Sequence, residues 1–230
     1  WIMPHRNVLT SRGSPLIKFQ SADRIESLRS GKIYAKNLGY YRNLERTSGD
    51  ADIGDQNEGM LPVVNATIEN QETGERLDLT DTRLETSESN DFVFCIFKSN
   101  PQMNGMRFTA EQKARMLTFG DTALLILDPD EFANRVTQAA TDQGFEVHYD
   151  SVKYYDPEHD NARMLVSLLE GMWNIAFWKR NRYAYQQEAR FVFTPGNDSI
   201  DHIELDVGDL HDITEVFKAS DVLNTMQLQN

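Results

Sequence analysis

Residues 183–193 read Tyr-Ala-Tyr-Gln-Gln-Glu-Ala-Arg-Phe-Val-Phe, and their alternation points to the fold class. Side chains on a β-strand face opposite ways with a period of two. Taken as one strand, the stretch turns Tyr185, Gln187, Ala189, Phe191 and Phe193 one way and Gln186, Glu188 and Arg190 the other. One edge is apolar enough to cover a core. The other sets an amide, a carboxylate and a guanidinium in a row. That row reads either as a wall that grips a polar ligand or as a wet sheet face carrying an ion pair.

Just upstream, Trp178-Lys179-Arg180-Asn181-Arg182 is a basic cluster with one aromatic. It reads as a helix C-terminus decorated with cations, which the helix dipole favours. Beside the Gln186, Glu188 and Arg190 row, it reads equally as an anion pocket. The spacing of Met164, Leu165, Leu168, Leu169, Met172 and Ile175 predicts the longest helix, over residues 161–180.

Further strands are expected at 16–20, 32–36, 92–97, 123–127, 203–207 and 213–217. A hairpin is expected with arms 63–69 and 76–79 around a glycine turn at 70–74. Residues 146–149 and 152–155 are expected to pair around Asp150-Ser151. Helices are expected at 22–30, capped by Ser21 and stopped by Gly31, and at 109–119, capped by Thr109. Another opens at Pro129, a favoured first-turn position, and Ser220 caps a last short one. Strands in hairpins as well as strands alternating with helices give an α+β class, mostly antiparallel, with helices flanking the sheet.

The chain has 230 residues, enough for a sizeable core in one domain, 1–230. Trp1-Ile2 precede Met3 and read as a cloning remnant. No run approaches the ~18 apolar residues of a membrane helix. No basic-then-apolar leader is visible, and the single cysteine, Cys95, sits in an apolar run as a buried thiol. A reducing cytoplasm fits these features.

The net charge of −13 is uneven. From Glu45 to Asp91 there are thirteen acidic and three basic residues. This argues against a surface that neutralises many phosphates, so nucleic acid is not the expected partner. Within it, residues 45–60 read as an acidic, solvated loop.

Phosphate loops, paired CxxC, GxSxG and HExxH are absent. His202, Glu204 and Asp206 share one strand face, but three successive strand positions converge poorly on one ion. Asp50, Asp52, Asp55 and Glu58 fail the calcium-loop register, because Gly54 and Asp55 fall at positions five and six. No metal is expected.

At the late strand and in two earlier blocks the chain resembles a family of uncharacterised bacterial and phage proteins grouped as DUF2971. One block is Ile17-Lys18-Phe19 with the helix to Gly31. A second is Gly39-Tyr40-Tyr41-Arg42-Asn43 and Glu45, with Gly49-Asp50 and Asp55-Gln56-Asn57-Glu58-Gly59 downstream. The third is Lys179 with Tyr185-Gln186-Gln187-Glu188-Ala189-Arg190. The blocks cover the N-terminal quarter and one late segment. A strand, a helix ending in glycine, an extended segment with aromatics and a later strand with Gln-x-Glu are also distantly similar to ADP-ribosyltransferases. There the glutamate engages the ribose of NAD, which implies Glu188 here, with Gln186 as the amide. Those enzymes carry arginine or histidine on the first strand where this chain has Lys18 and Gln20. No Ser-Thr-Ser is present, and the resemblance implies that Tyr40-Tyr41-Arg42 would have to hold the nicotinamide side.

The leading expectation is a protein that binds a nucleotide, NAD as substrate, and transfers or hydrolyses its ADP-ribose, in a setting of phage–host conflict. Glu188 would stabilise the oxocarbenium-like state, and Gln186 would orient the acceptor. Lys179 and Arg190 would hold phosphates, Arg42 would be a second anion contact, Tyr41 would stack, and Lys18 would complete the binding set. The alternative is a non-catalytic module of phage or defence origin whose acidic loop docks a basic protein partner. A nuclease is disfavoured by the charge and the lack of a metal set.

Overall fold

A computed structural model describes residues 16–49, 53–64, 67–78, 83–98, 108–159, 162–196 and 200–225. The chain runs β1 (Leu16–Gln20), α1 (Ala22–Arg29), β2 (Lys32–Asn37), α2 (Leu38–Ser48), β3 (Met60–Val64), β4 (Thr67–Glu69), β5 (Arg76–Asp78), β6 (Arg83–Glu88) and β7 (Phe92–Lys98). It continues as α3 (Ala110–Met116), β8 (Thr122–Ile126), α4 (Pro129–Asp142), β9 (Glu146–Ser151), β10 (Lys153–Tyr155), α5 (Ala162–Leu168) and β11 (Trp178–Arg180). It ends with β12 (Glu188–Thr194), β13 (His202–Asp206), β14 (Thr214–Lys218) and α6 (Ala219–Thr225). Short stretches of 3-10 helix occupy Leu117–Phe119, Met172–Phe177 and Asn181–Gln186. The class is α+β, with an eight-stranded antiparallel sheet flanked by helices.

Strand β7 reads Phe-Val-Phe-Cys-Ile-Phe-Lys, a run apolar on both faces, as befits a strand covered on both sides. Its pairing makes the fold fork. Strand β12 takes the whole of one edge, from Glu188 opposite Phe97 to Phe193 opposite Phe92. The other edge is shared. Strand β1 takes only its far end, with Leu16 opposite Lys98 and Ile17 opposite Phe97. Strand β2 takes only its near end, with Lys36 opposite Val93 and Asn37 opposite Phe92. Among the described residues, Phe94, Cys95 and Ile96 are left between the arms without a strand partner on that edge. One arm continues from β1 through β8 to β14, and the other from β2 to β13. Beyond β12, strand β9 closes the sheet.

Helix α1 bridges the arms and buries Ile25 and Leu28. Helix α4 adds Phe132, Val136 and Ala140 to the same core, against Phe92, Phe94, Phe191 and Phe193. Each of these side chains except Ala140 contributes about 1.5–3 kcal/mol when fully buried. On the opposite face Ile17, Phe19, Phe97 and Tyr183 pack with Met116 of α3 and Val222 and Leu223 of α6. The caps are local. Thr109 and Gln112 form a reciprocal capping box, and Asp128 accepts from Glu131 N ahead of Pro129 at the first turn.

Several expectations need correction. Residues 183–187 are not strand: the 3-10 turn Asn181–Gln186 ends at Gln187, which takes a left-handed conformation with φ 42°, and the strand begins at Glu188. The long helix over 161–180 is broken. Helix α5 stops at Leu168, and the chain then turns through Gly171 (φ 154°), where a Cβ would stand 2.4 Å from Trp173 Nε1, so that only glycine fits. Leu169 and Met172 consequently point to solvent, and the basic cluster lies on β11 and a 3-10 turn rather than at a helix C-terminus.

The extended aromatic segment at 39–45 is helical instead, inside α2, with Asn37 accepting from Tyr40 N at its start and Gly49 left-handed at its end. Strands β9 and β10 do not pair with each other; β9 joins β12 and β10 runs parallel to β11. Ser21 stands at the N-cap of α1 without a capping hydrogen bond, and α6 already begins at Ala219, ahead of Ser220. The β4–β5 hairpin forms around Asn70 as expected. Strand β3 pairs instead with β6, a strand the sequence reading did not assign.

Candidate functional site

The fork opens into a cavity of about 710 Å³. Its walls follow from the strand pleat. After Ile17, β1 leaves β7 and presents Lys18 and Gln20 to the opening; before Lys36, β2 approaches and presents Lys32 and Tyr34. Tyr41 enters from α2, Arg24 from α1, and Lys179, Gln186, Glu188 and Arg190 from the β11–β12 side.

The floor is a buried network of charges. Arg190 donates through Nε to Glu188 Oε2 at 2.7 Å, and through Nη1 to Glu58 Oε1 at 2.7 Å and Ala176 O at 2.6 Å. Lys179 Nζ donates to Glu188 Oε1 and Gln186 Oε1, each at 2.7 Å, and lies 3.7 Å from Glu58 Oε2. Glu58, Lys179, Gln186, Glu188 and Arg190 are all buried. Two cations thus meet two carboxylates, which satisfies the condition for burying charge.

Burial alone would raise the Glu188 carboxyl, but Arg190 and Lys179 overrule it and hold it at about 2. Burial likewise opposes the Lys179 charge, yet Glu188 and Glu58 keep it above the ordinary lysine range. Glu188 is therefore a fixed carboxylate at neutral pH. It is suited to stabilising a developing positive charge and unsuited to taking a proton.

The turn before β12 explains how Gln186 joins. Left-handed Gln187 interrupts the alternation, and the 3-10 turn brings Gln186 Oε1 onto the ammonium that Glu188 also holds. Gln186 Nε2 donates to Tyr185 OH at 3.0 Å, so the amide is held at both ends. Glu188 N donates to Tyr154 OH. Cys95, opposite Arg190 on β7, is half-buried, and burial is the main cause that pushes its thiol up to about 11, which makes it a poor nucleophile.

A second layer fastens the segment 53–59. Arg180 bridges Glu45 and Asp55 at 2.9 and 2.5 Å, and Arg182 holds Glu45 at 2.5 Å. Tyr183 OH donates to Gly54 O at 2.7 Å. Asp55 and Glu58 are buried, so this part of the acidic loop turns inward and is not solvated. Asp50 and Asp52 lie outside the described residues.

Of the expected site residues, the structure brings Lys18, Tyr41, Lys179, Gln186, Glu188 and Arg190 to one cavity. Arg42 is not among its lining residues. Its guanidinium donates to Glu58 O at 2.7 Å, Ser89 O at 2.9 Å and Asn90 Oδ1 at 2.7 Å, which makes it a buried brace beneath the floor. Sequence reasoning missed Glu58 as a floor residue. No local signal marks it, because its partners Lys179 and Arg190 are far away in sequence. It also missed Arg24, Lys32 and Lys36, of which Lys32 and Lys36 share a face of β2 at period two.

His202, Glu204 and Asp206 lie along the exposed edge strand β13, where His202 stacks on Tyr34. Among the described residues no group of three or more His, Cys, Asp or Glu is placed to hold a metal, and no helix is long and apolar enough to cross a membrane. Set against known proteins, the chain matches no family model, and no curated protein or solved structure gives a significant match.

Proposed function

We propose that the fork cavity binds a nucleotide, NAD, and that the protein transfers or hydrolyses its ADP-ribose. One observation carries the reading. In a chain of net charge −13, the charged lining of this cavity comprises six cations (Lys18, Arg24, Lys32, Lys36, Lys179 and Arg190) and two carboxylates, Glu58 and Glu188. Such a lining concentrates anions, and its volume lies within the range of small-molecule and cofactor sites.

In the proposed reaction the bond between ribose C1′ and the nicotinamide nitrogen breaks, and its electron pair leaves with nicotinamide. The positive charge that grows on the ribose is stabilised by the Glu188 carboxylate. A water or acceptor oxygen then bonds to C1′ and gives its proton to solvent. Gln186, held between Lys179 and Tyr185, fixes the ammonium that orients Glu188. The likeness to ADP-ribosyltransferases supports the same assignment through the identities of Gln186 and Glu188 alone, since Gln186 lies in a 3-10 turn and not on the strand. The docking reading is weaker, because Asp55 and Glu58 of its acidic loop are engaged internally.

The test is release of nicotinamide from NAD by the full chain, with and without candidate acceptor proteins. Release by the wild type, lost in a folded Glu188→Gln variant, is the expected result. No release under any condition, or full activity in Glu188→Gln, overturns the reading.

A further inference from the structure

The cations of the cavity are not equivalent. Lys179 and Arg190 are neutralised by Glu188 and Glu58. Lys32 pairs with Asp206 at 2.5 Å and Lys36 pairs with Asp201, both acids on the exposed side. Among the described residues Lys18 and Arg24 form no salt bridge; Glu188 acts on Lys18 and Asp23 on Arg24 only at longer range. Lys18 is half-buried; its ammonium donates to Cys95 O at 2.6 Å and lies 4.7 Å from the centroid of the Phe94 ring. A lysine ammonium has three donors, and this carbonyl takes one. Arg24 is exposed on the first turn of α1, at the cavity wall. Gln20, between them in sequence and on the same face of β1 as Lys18, adds an amide to the lining.

We propose that Lys18 and Arg24 form the seat for a phosphate or pyrophosphate group of the ligand. The seat rests on the nucleotide reading of the cavity but not on the ADP-ribosyl reaction. Two neighbouring cations outside any contact ion pair among the described residues fit a dianion better than a single carboxylate, and the assignment moves the phosphate from Lys179 and Arg190, whose charges are spent, to the β1–α1 side.

The groups that face Lys18 agree with this. Burial is the first cause that pushes its amine below the ordinary lysine range; Cys95 of β7 and Glu188 of β12 act the other way, and Arg24 of α1 adds to the depression. An arriving dianion reverses the balance. A bound dianion would favour the charged form that burial disfavours.

Titration of the full chain with inorganic pyrophosphate, followed by calorimetry and by thermal denaturation, tests the seat. The wild type is expected to bind and to melt higher with pyrophosphate. Lys18→Met and Arg24→Met should each weaken binding about tenfold or more, as loss of a charged hydrogen bond does. Lys18→Arg should keep most of it, and Arg76→Met on the remote hairpin should change nothing. Lys18→Met should also melt higher than wild type without ligand. Absence of pyrophosphate binding by the wild type, or a folded Lys18→Met/Arg24→Met double variant that binds like wild type, overturns the seat. Pyrophosphate binding through these residues without any nicotinamide release leaves the seat standing and sinks the reaction alone. NAD cleavage that survives the double variant with unchanged affinity sinks the seat alone.

Discussion

The two walls of the fork cavity use the same kind of side chain in opposite ways. On the β11–β12 wall, Lys179 and Arg190 are deeply buried and each touches two carboxylates. On the β1–α1 wall, Lys18 and Arg24 are more accessible and meet a carbonyl, a ring and each other's charge. A buried cation with partners on every side is fixed and holds its neighbours in place. A cation that keeps donors unspent is poised for something not yet there. The contrast suggests a division of labour, with geometry on one wall and capture on the other.

That contrast breaks most visibly at Arg190. Arg190→Met strands Glu58 and part of Glu188 in the interior and should cost about 3–5 kcal/mol, read as a lower urea midpoint at unchanged slope. A loss below ~1 kcal/mol would mean that the floor is not a coupled unit.

Acid should reach the same wall next. The Glu188 carboxyl sits at about 2 in the folded chain, below its ordinary 4.5. Its contribution is thus complete above pH 4.5 and is lost as pH falls from 4.5 toward 2, on the order of 3 kcal/mol in all. Melting temperatures of wild type and Glu188→Gln should converge across that window; a constant gap would refute the assignment.

The opposite wall should respond with the opposite sign. Lys18→Met removes a desolvated charge and should gain about 1 kcal/mol, or about 2–4 °C in melting temperature for a chain of this size. A melting temperature lowered by the same amount would place Lys18 with the structural cations. At the outer rim, Glu204→Gln on exposed β13 should stay within about 0.5 kcal/mol of wild type. A larger change in thermal melting would show that this edge belongs to the network.

The regular parts of this fold were legible because their signals are local. The alternation in β13, the capping box at Thr109 and the Asp128-Pro129 start of α4 each sit within a few residues. What failed depended on distant partners. Met164 to Ile175 carries a helical period, yet the chain turns at Gly171, packed against Trp173 where a side chain would not fit, and no window of hydrophobicity registers that constraint. The Gln186, Glu188 and Arg190 row was right in membership and wrong in cause, since a left-handed Gln187 and a 3-10 turn replace the expected pleat. Arg42 looked like an anion contact because its carbonyl partners come from residues 58 and 89, which sequence proximity does not reveal. Glu58 was hidden in a run of surface-like acids for the same reason.

The unpaired stretch Phe94, Cys95 and Ile96 has a consequence for how ligands arrive. At ~3.4 Å per residue it leaves a slot about 10 Å long, framed by hydrogen-bonded strands on both sides. Its cationic lining should make the association rate of an anionic ligand fall with ionic strength. The frame is also separable from its chemistry. Lys18, Gln20, Lys32 and Tyr34 project from alternate positions whose backbone pairing does not depend on them, so the slot can be re-lined for a different guest while the sheet that makes it stays as it is.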